Sequence, residues 1–305
     1  LFARIEEIAE KLCFSFYKGS LKKKKTFMKL LKECANFKED YKLIYKHFFM
    51  SKFCRIKLTP EEISSFIDKK VLNYEDSILL AYLKGMLSGF SYEQSIKQVV
   101  IDEAQDYTTL QYIIISKIFK KASFTILGDV NQNINPYYKH ETLEDLMQIF
   151  PCSKYIELQK TYRSSKEIID YTNKILGLNH VTAIRRENSK PVIYRSNISN
   201  LKKTILDDLN VLSLEYLKMA LLAKDHYIAT KLYNTIKNDI NVSLINDNTK
   251  GINSDLVIIP AYLAKGLEFD CVIIYNDPLS KYKRNEKNLL YVACTRAQHE
   301  LYIYN

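Results

Sequence analysis

The stretch Val99-Val100-Ile101-Asp102-Glu103-Ala104-Gln105-Asp106 decides the fold. An apolar run ends abruptly in two carboxylates. A continuous apolar run without alternation predicts a strand buried on both faces, as in a parallel sheet. Ligands of open α/β sheets sit beyond the carboxyl ends of such strands, where Asp102 and Glu103 would stand. An acid in that place can hold Mg²⁺ on a nucleotide, and its neighbour can orient or deprotonate a water.

A second edge follows. Ser123 to Leu127 reads as a strand that Gly128-Asp129-Val130-Asn131-Gln132 breaks. Between the two, Leu110, Ile113, Ile114 and Ile118 give helical spacing over Thr109 to Lys121. Strand, helix and strand with polar groups at both strand ends fit half of a nucleotide-binding sheet, or equally an ordinary βαβ unit with a capped turn.

The 305 residues suffice for roughly two domains, and 47% hydrophobic content can build a core. No apolar run approaches the ~20 residues of a membrane helix, and no secretory signal is visible, so the expected compartment is the cytoplasm. Cys13, Cys34, Cys54, Cys152, Cys271 and Cys294 lack metal-ligand spacing and read as reduced, mostly buried small hydrophobes. The five histidines are equally scattered, which argues against zinc. The net charge of +10 favours a polyanionic partner such as nucleic acid, or an acidic protein surface. An A+T-rich genome, which enriches lysine and tyrosine, explains the same composition.

Residues 1–95 read as helical. Ile5, Ile8, Ala9 and Leu12 share one face, and Phe27, Leu30 and Leu31 begin another. Lys22 to Lys25 form a solvated run. Thr59-Pro60-Glu61-Glu62 is a helix start with an N-cap, an early proline and early acids. Asn73 to Leu87 gives another helix. The region is either an all-helical domain or a helical insertion before the strand at Val99.

From Val99 onward strands and helices alternate. Strands are expected at Val99 to Ile101, Phe124 to Leu127, Tyr155 to Leu158, Val192 to Arg195, Met219 to Ala223, Val242 to Ile245, Leu256 to Ile259, Val272 to Tyr275 and Leu301 to Tyr304. Helices are expected at Ser164 to Leu178, Ile198 to Leu209, His226 to Asn238 and Lys287 to Arg296. This alternation predicts an α/β protein of parallel sheets with flanking helices. Pro136 and Pro151 punctuate a connection between two such domains.

Three further segments carry candidate chemistry. In Gln159-Lys160-Thr161-Tyr162-Arg163-Ser164-Ser165, a serine can cap the next helix and Arg163 suits a phosphate, while Tyr162 offers a flat face to a base. A surface arginine beside a half-buried tyrosine is the plainer account. In Ala264-Lys265-Gly266-Leu267-Glu268-Phe269-Asp270, Gly266 permits close backbone approach, and Lys265 and Glu268 could meet phosphate and ribose. A solvent-exposed turn with a salt bridge fits equally. In Leu289 to Ala297, Arg296 ends a long apolar run and needs a partner if buried, either a phosphate or an internal carboxylate.

Taken in order, the motifs Asp-Glu-Ala-Gln-Asp, Gly-Asp-x-x-Gln, Tyr-Arg-Ser, Lys-Gly-Leu-Glu-Phe-Asp and Tyr-Val-Ala-x-Thr-Arg-Ala resemble the superfamily 1 helicases of the UvrD/Rep type. The resemblance covers Val99 to Asn305. It implies RecA-like parallel sheets, with residues 1–95 a helical region, part of an insertion in the first motor domain. Residues 96–150 would be the C-terminal part of that domain and 151–305 a second RecA-like domain. It implies ATP and Mg²⁺ as ligands and DNA as a partner. By the same resemblance Asp102 would coordinate Mg²⁺ and Glu103 would activate the hydrolytic water. Gln132 would sense the γ-phosphate, with Gln105 nearby, and Tyr162 would stack on adenine. Arg163 and Arg296 would act as arginine fingers, and Lys265, Gly266 and Glu268 would line the nucleotide site, with Glu268 at the ribose.

Ile101 to Tyr107 and Phe124 to Gln132 look most like the HelD, or helicase-IV-like, branch. Some members of that branch bind RNA polymerase and use ATP to displace it. Two features depart from the family. No G-x-x-x-x-G-K-[ST] phosphate loop occurs among the seven glycines, and the chain starts at Leu1. Both suggest the C-terminal part of a longer motor, inactive by itself. Only about a hundred residues separate Arg163 from Lys265, where UvrD-like members place a large subdomain, so ordinary processive unwinding is in doubt. A non-catalytic module that keeps the motor fold for docking is the alternative.

Overall fold

The computed structural model describes residues 42, 45–46, 59–67, 71–135, 138, 140–178, 181–184, 190, 192–196, 200–249, 251–252, 254–278 and 280–305. The helical faces expected from Ile5 to Leu31, the Lys22 to Lys25 run, Pro136, and Cys13, Cys34 and Cys54 lie outside these residues. The chain divides into two compact units. One takes the described residues within 1–102, 107–127 and 145–153, and the other those within 103–106, 128–144 and 154–305.

The first unit opens with α1 (Pro60–Ile67) and α2 (Tyr74–Ser88). The start of α1 is a reciprocal cap: Thr59 Oγ1 accepts from Glu62 N at 3.2 Å, and Glu62 Oε2 accepts from Thr59 N at 2.7 Å. Tyr45, Ile63 and Leu80 form a small core with Leu72 and Leu83. Then come β1 (Gln98–Ile101), α3 (Thr109–Ile118) and β2 (Ser123–Ile126), with β1 and β2 parallel. A capping box between Thr108 and Gln111 starts α3. Gln111 Nε2 also donates to the Tyr74 hydroxyl at 2.7 Å, joining α3 to α2.

The strand β1 departs from the expectation of burial on both faces. Ile101 is buried, but Val100 is 59% exposed. Among the described residues β2 is the only strand paired with β1.

The second unit is built on a six-stranded parallel sheet. Its strands are β5 (Ile193–Arg195), β6 (Met219–Ala223), β7 (Ser243–Leu244), β8 (Leu256–Pro260), β9 (Phe269–Tyr275) and β10 (Ala297–Tyr304), in the order β5-β10-β9-β6-β8-β7. The period-2 pattern sorts their side chains. Met219, Leu221, Leu256, Ile258, Ile273, Tyr302 and Tyr304 face one core, with residues of α5 (Leu201–Leu212) and α6 (His226–Ile236). Ala220, Leu222, Val257, Ile259, Val272, Ile274, Leu301 and Ile303 face the other, with Ile168 of α4 (Lys166–Leu176) and Ala293 and Cys294 of α7 (Lys287–Cys294). Both faces are covered, which is why these strands read as continuous apolar runs. Each fully buried Leu or Ile contributes about 1.5–3 kcal/mol.

Two local expectations are corrected. Tyr155 to Leu158 is not a strand; residues 153–159 have no regular structure, and Ile156 and Leu158 are 66% and 83% exposed. Strand propensity needs a neighbour to pair with and a surface to pack on, and this segment has neither. Pairing begins at β3 (Lys160–Thr161), which runs parallel to β4 (Thr182–Ala183). Ser165 occupies the N-cap position of α4 without a side-chain cap bond, and Ser164 Oγ instead donates to Ala297 O at 2.6 Å. Among the described residues no helix is long and apolar enough to cross a membrane.

The contrast between the sheets is testable. Ile258→Ala opens a cavity in a sealed core and should cost about 2–5 kcal/mol. Val100→Ala should stay within about 0.5 kcal/mol. Denaturant titration of both variants checks this; equal losses would contradict the burial difference.

Candidate functional site: a buried arginine tied to two polar loops

The second unit holds a site at the N-terminal ends of β9 and β10. Arg296 lies in the turn between α7 and β10, and its carbonyl accepts from Phe269 N at 3.0 Å. Its side chain is 1% exposed. Nε donates to Val292 O at 3.0 Å, Nη1 to Leu267 O at 3.3 Å, and Nη2 to Gln132 Oε1 at 2.8 Å and Thr295 Oγ1 at 3.1 Å. Among the described residues the guanidinium makes no ion pair, so the internal carboxylate weighed above is not there. All of its contact acceptors are neutral, and the carboxylates of Glu103 and Glu268, which favour the charge without touching it, offset only part of the cost of burial. Burial, then the charge of Arg163, pull the Arg296 pKa down to about 10. A base with a lowered folded pKa penalises folding below that value, and the penalty fades only as pH rises towards the unfolded value.

From Arg296 a chain of hydrogen bonds runs back through both polar loops. Gln132 Nε2 donates to Asp129 Oδ2 at 3.0 Å, Asp129 N to Gln105 Oε1 at 3.0 Å, and Gln105 Nε2 to Glu103 Oε2 at 2.6 Å. Gln105 is fully buried, and its amide is spent on these two loops. Asn133 Nδ2 adds a bond to Gln105 O at 2.7 Å. Asn288 Nδ2 of α7 donates to Asn131 O at 2.8 Å.

Two backbone features make the approach possible. A Cβ on Gly128 would lie 2.9 Å from Ala104 N and 2.7 Å from Gln105 Oε1, so only glycine lets the loops meet. Glu103 has φ +50, a left-handed conformation that costs a non-glycine residue about 1–2 kcal/mol. Such strain collects at functional positions.

The remaining predicted residues take defined places. Lys265 Nζ meets both oxygens of Asp106 at 2.7 and 2.6 Å and lies 3.6 Å from Glu103. Gly266, with φ +78, turns the chain behind it. Arg163 pairs with Glu268 at 2.7 Å, and Gln298 Nε2 holds the other Glu268 oxygen at 2.6 Å. Ser165 N donates to Gln298 O at 3.1 Å, which moors the segment carrying Arg163 to β10. Tyr162 is 73% exposed. In the first unit, Asp102 directly follows β1 and is exposed. Sequence reasoning gave no role to Asp106, Asp129 or Gln298. The first two sat inside the quoted motifs, whereas Gln298 had no signal.

The arrangement is that of a parallel α/β protein with a cluster of charged and amide side chains at its strand ends. Residues 7–142 match the UvrD/REP helicase N-terminal domain, and residues 255–304 match the UvrD-like helicase C-terminal domain. Both matches support helicase domains of the UvrD/Rep type over these residues. The ATP-dependent DNA helicase Rep of Escherichia coli (strain K12) is 32% identical over 115 residues, 36% of this chain and 17% of that protein. A probable DNA helicase of Mycoplasma pneumoniae is 26% identical over 247 residues, 70% of this chain and 44% of that protein. The chain thus spans less than half the length of these relatives. Among solved structures, the PRRSV helicase overlays loosely, with a TM-score of 0.40 at 17% identity, covering 68% of this chain and 35% of that one.

If the buried charge of Arg296 is only partly compensated, removing it should not hurt the ligand-free protein. Arg296→Met keeps the length of the side chain and should leave stability unchanged or raised by about 1 kcal/mol or more. A thermal melt at pH 7 reads this. A loss above about 2 kcal/mol would mean that its neutral hydrogen bonds outweigh its desolvation.

Proposed function

We propose that this chain forms part of an ATP-hydrolysing motor that acts on DNA. The observation that carries the reading is Arg296, buried with no carboxylate in contact and disfavoured by the half-exposed Arg163. The Arg163 charge disfavours that of Arg296, so a multiply charged anion would relieve both, and the terminal phosphates of ATP supply such an anion.

The residues fit the substrate in other respects. Tyr162 presents an open ring to a base, and Glu268, on Arg163, can release it to phosphate and turn to a ribose hydroxyl. Glu103 is held by Gln105 and approached by Lys265, so its carboxylate has a fixed direction for accepting a proton from water. Gln132 is bound to Arg296 on one side and Asp129 on the other, so a phosphate that recruits Arg296 changes the restraint on Gln132. That change passes along the hydrogen-bond chain to Glu103. Among the described residues no group of three or more His, Cys, Asp or Glu could hold a metal. Mg²⁺ on a nucleotide needs only one or two carboxylates, and Asp102 at the end of β1 can supply one. When bound, Mg²⁺ neutralises the phosphate oxygens.

We assign residues 96–150 to the C-terminal part of a first RecA-like domain, 151–305 to a second, and 1–95 to a helical insertion, all working in the cytoplasm. The likeness of Ile101 to Tyr107 and Phe124 to Gln132 to the HelD branch supports a narrower form of the proposal, removal of RNA polymerase from nucleic acid. Co-purification with RNA polymerase supports that form, and its absence from the protein's complexes removes it. The alternative, a docking module without catalysis, has Arg296 to explain.

The test uses the protein as its cell makes it. Glu103→Gln keeps the shape and removes the base, so ATP should bind with unchanged affinity while turnover falls by about 10²–10⁴. Arg296→Ala should lower turnover by about 10³ or more, the range of arginine fingers in related systems. Near wild-type turnover in either variant would overturn that residue's role. Absence of ATP hydrolysis by the unmodified protein, with and without DNA, would favour the docking module. The 305 residues by themselves contain no phosphate loop and should show no motor-like turnover.

A further inference from the structure

The first unit gathers lysines at one end of its strands. At the carboxyl ends of β1 and β2 the chain carries Asp102. At the amino ends it carries lysines. Lys97 immediately precedes β1, and its carbonyl accepts from Ser123 N at 2.9 Å, which sets it beside Lys121 at the entry to β2. Lys117 lies in the last turn of α3, and Lys120 and Lys121 follow that helix. All four are exposed. Among the described residues none of them makes an ion pair. In the second unit Lys190, Lys202, Lys224, Lys231 and Lys265 each meet a carboxylate, while Lys203, Lys218 and Lys237 do not among the described residues, so what marks this edge is the gathering of four such lysines at one place.

An aromatic ring sits among these lysines. Tyr92 has Lys120 Nζ 5.8 Å and Lys121 Nζ 5.9 Å from its ring centroid. Its segment is moored to the end of α3 by Glu93 N donating to Ile118 O at 3.0 Å. Glu93, an acid next to Tyr92, has its Oε1 turned onto Ser95 N and Oγ at 2.8 and 2.6 Å. The C-terminal dipole of α3 accounts for one cation in its last turn, Lys117. It does not account for the others, which lie beyond the helix or before β1.

We propose that this edge, formed by Tyr92, Lys97, Lys117, Lys120 and Lys121, is a nucleic-acid contact surface. The lysines take backbone phosphates and the tyrosine offers its ring to a base. Unpaired cations around an accessible aromatic ring are the chemistry of single-strand binding. An anionic membrane would engage the lysines and leave the ring without a role. The surface lies at the opposite end of β1 from Asp102, about 16 Å away for the five steps from Lys97. It shares no residue with the nucleotide site and stands whether or not the chain hydrolyses ATP.

The experiment measures binding of the 305-residue chain to a fluorescein-labelled 20-mer of dT by anisotropy over a salt series. For single strands, the log–log slope of affinity against salt shrinks by about 0.7 for each phosphate that the protein no longer neutralises. The combined variant Lys97→Gln, Lys117→Gln, Lys120→Gln and Lys121→Gln should flatten the slope by about 3 and weaken binding more than tenfold at 0.1 M salt. Tyr92→Leu should weaken binding by about fivefold or more and leave the slope unchanged. Binding of a fluorescent ATP analogue should be the same in all the proteins. The double charge reversal Lys120→Glu and Lys121→Glu gives an independent reading if the fourfold variant melts early. An unchanged slope in the lysine variants overturns the proposal. So does an unmodified chain that ignores dT but binds anionic vesicles or an acidic protein through the same lysines.

Discussion

A buried guanidinium with no carboxylate in contact is the constraint on which the site depends. Placing Arg296 among Val292 O, Leu267 O, Thr295 Oγ1 and Gln132 Oε1 satisfies its donors but not its charge. Hydrogen bonds to neutral acceptors recover only part of the hydration lost on burial. The fold tolerates this because the rest of the second unit is well covered, with two apolar layers on one six-stranded sheet. In the proposed reading, the deficit would give the site a preference for anions. A bound anion removes a cost already present, so its binding is favoured by more than the new interactions alone would give.

The core strands were legible because burial on two faces leaves a plain mark. Met219 to Ala223 and Leu256 to Ile259 are uninterrupted apolar runs, and both are central strands. The same mark misled at Val99 to Ile101, where a run that reads as doubly buried has Val100 exposed. It misled again at Tyr155 to Leu158, an exposed segment without regular structure. Apolar composition records what a segment can bury and not whether a neighbour is present to bury it. The cap at Thr59 was legible because the signal and the bond lie within one turn. The cap expected at Ser164 or Ser165 was not, because Ser164 is drawn to Ala297, far along the chain.

For the site, sequence identified the residue types and missed how they are joined. Gln105 and Gln132 were singled out, but their service as successive links between Glu103 and Arg296 depends on bonds across 24 and 164 positions of chain. Asp129 links them through its backbone N–H and one carboxylate oxygen, a double use that no spacing rule encodes. The alternatives at Lys265 and Glu268 resolve in a mixed way. Both residues make ion pairs, as an ordinary turn would, yet their partners Asp106 and Arg163 belong to the other motifs. The salt bridges are therefore part of the site's construction.

The positive φ of Glu103 and the close approach at Gly128 follow from one requirement. The loop after β1 and the loop after β2 must touch for Gln105 to bridge them. Gly128 meets the requirement by having no side chain, since a Cβ there would meet Ala104 N at 2.9 Å. Glu103 cannot meet it that way, because a glycine would lack the carboxylate that Gln105 holds. The chain instead keeps the side chain and accepts a left-handed backbone, at a cost of about 1–2 kcal/mol. Asn, which tolerates that conformation more readily, would relieve some of the strain but supply no anionic oxygen to face Lys265. Only an acidic side chain keeps the anionic oxygen there, so the local cost in stability is tied to the charge that the site uses.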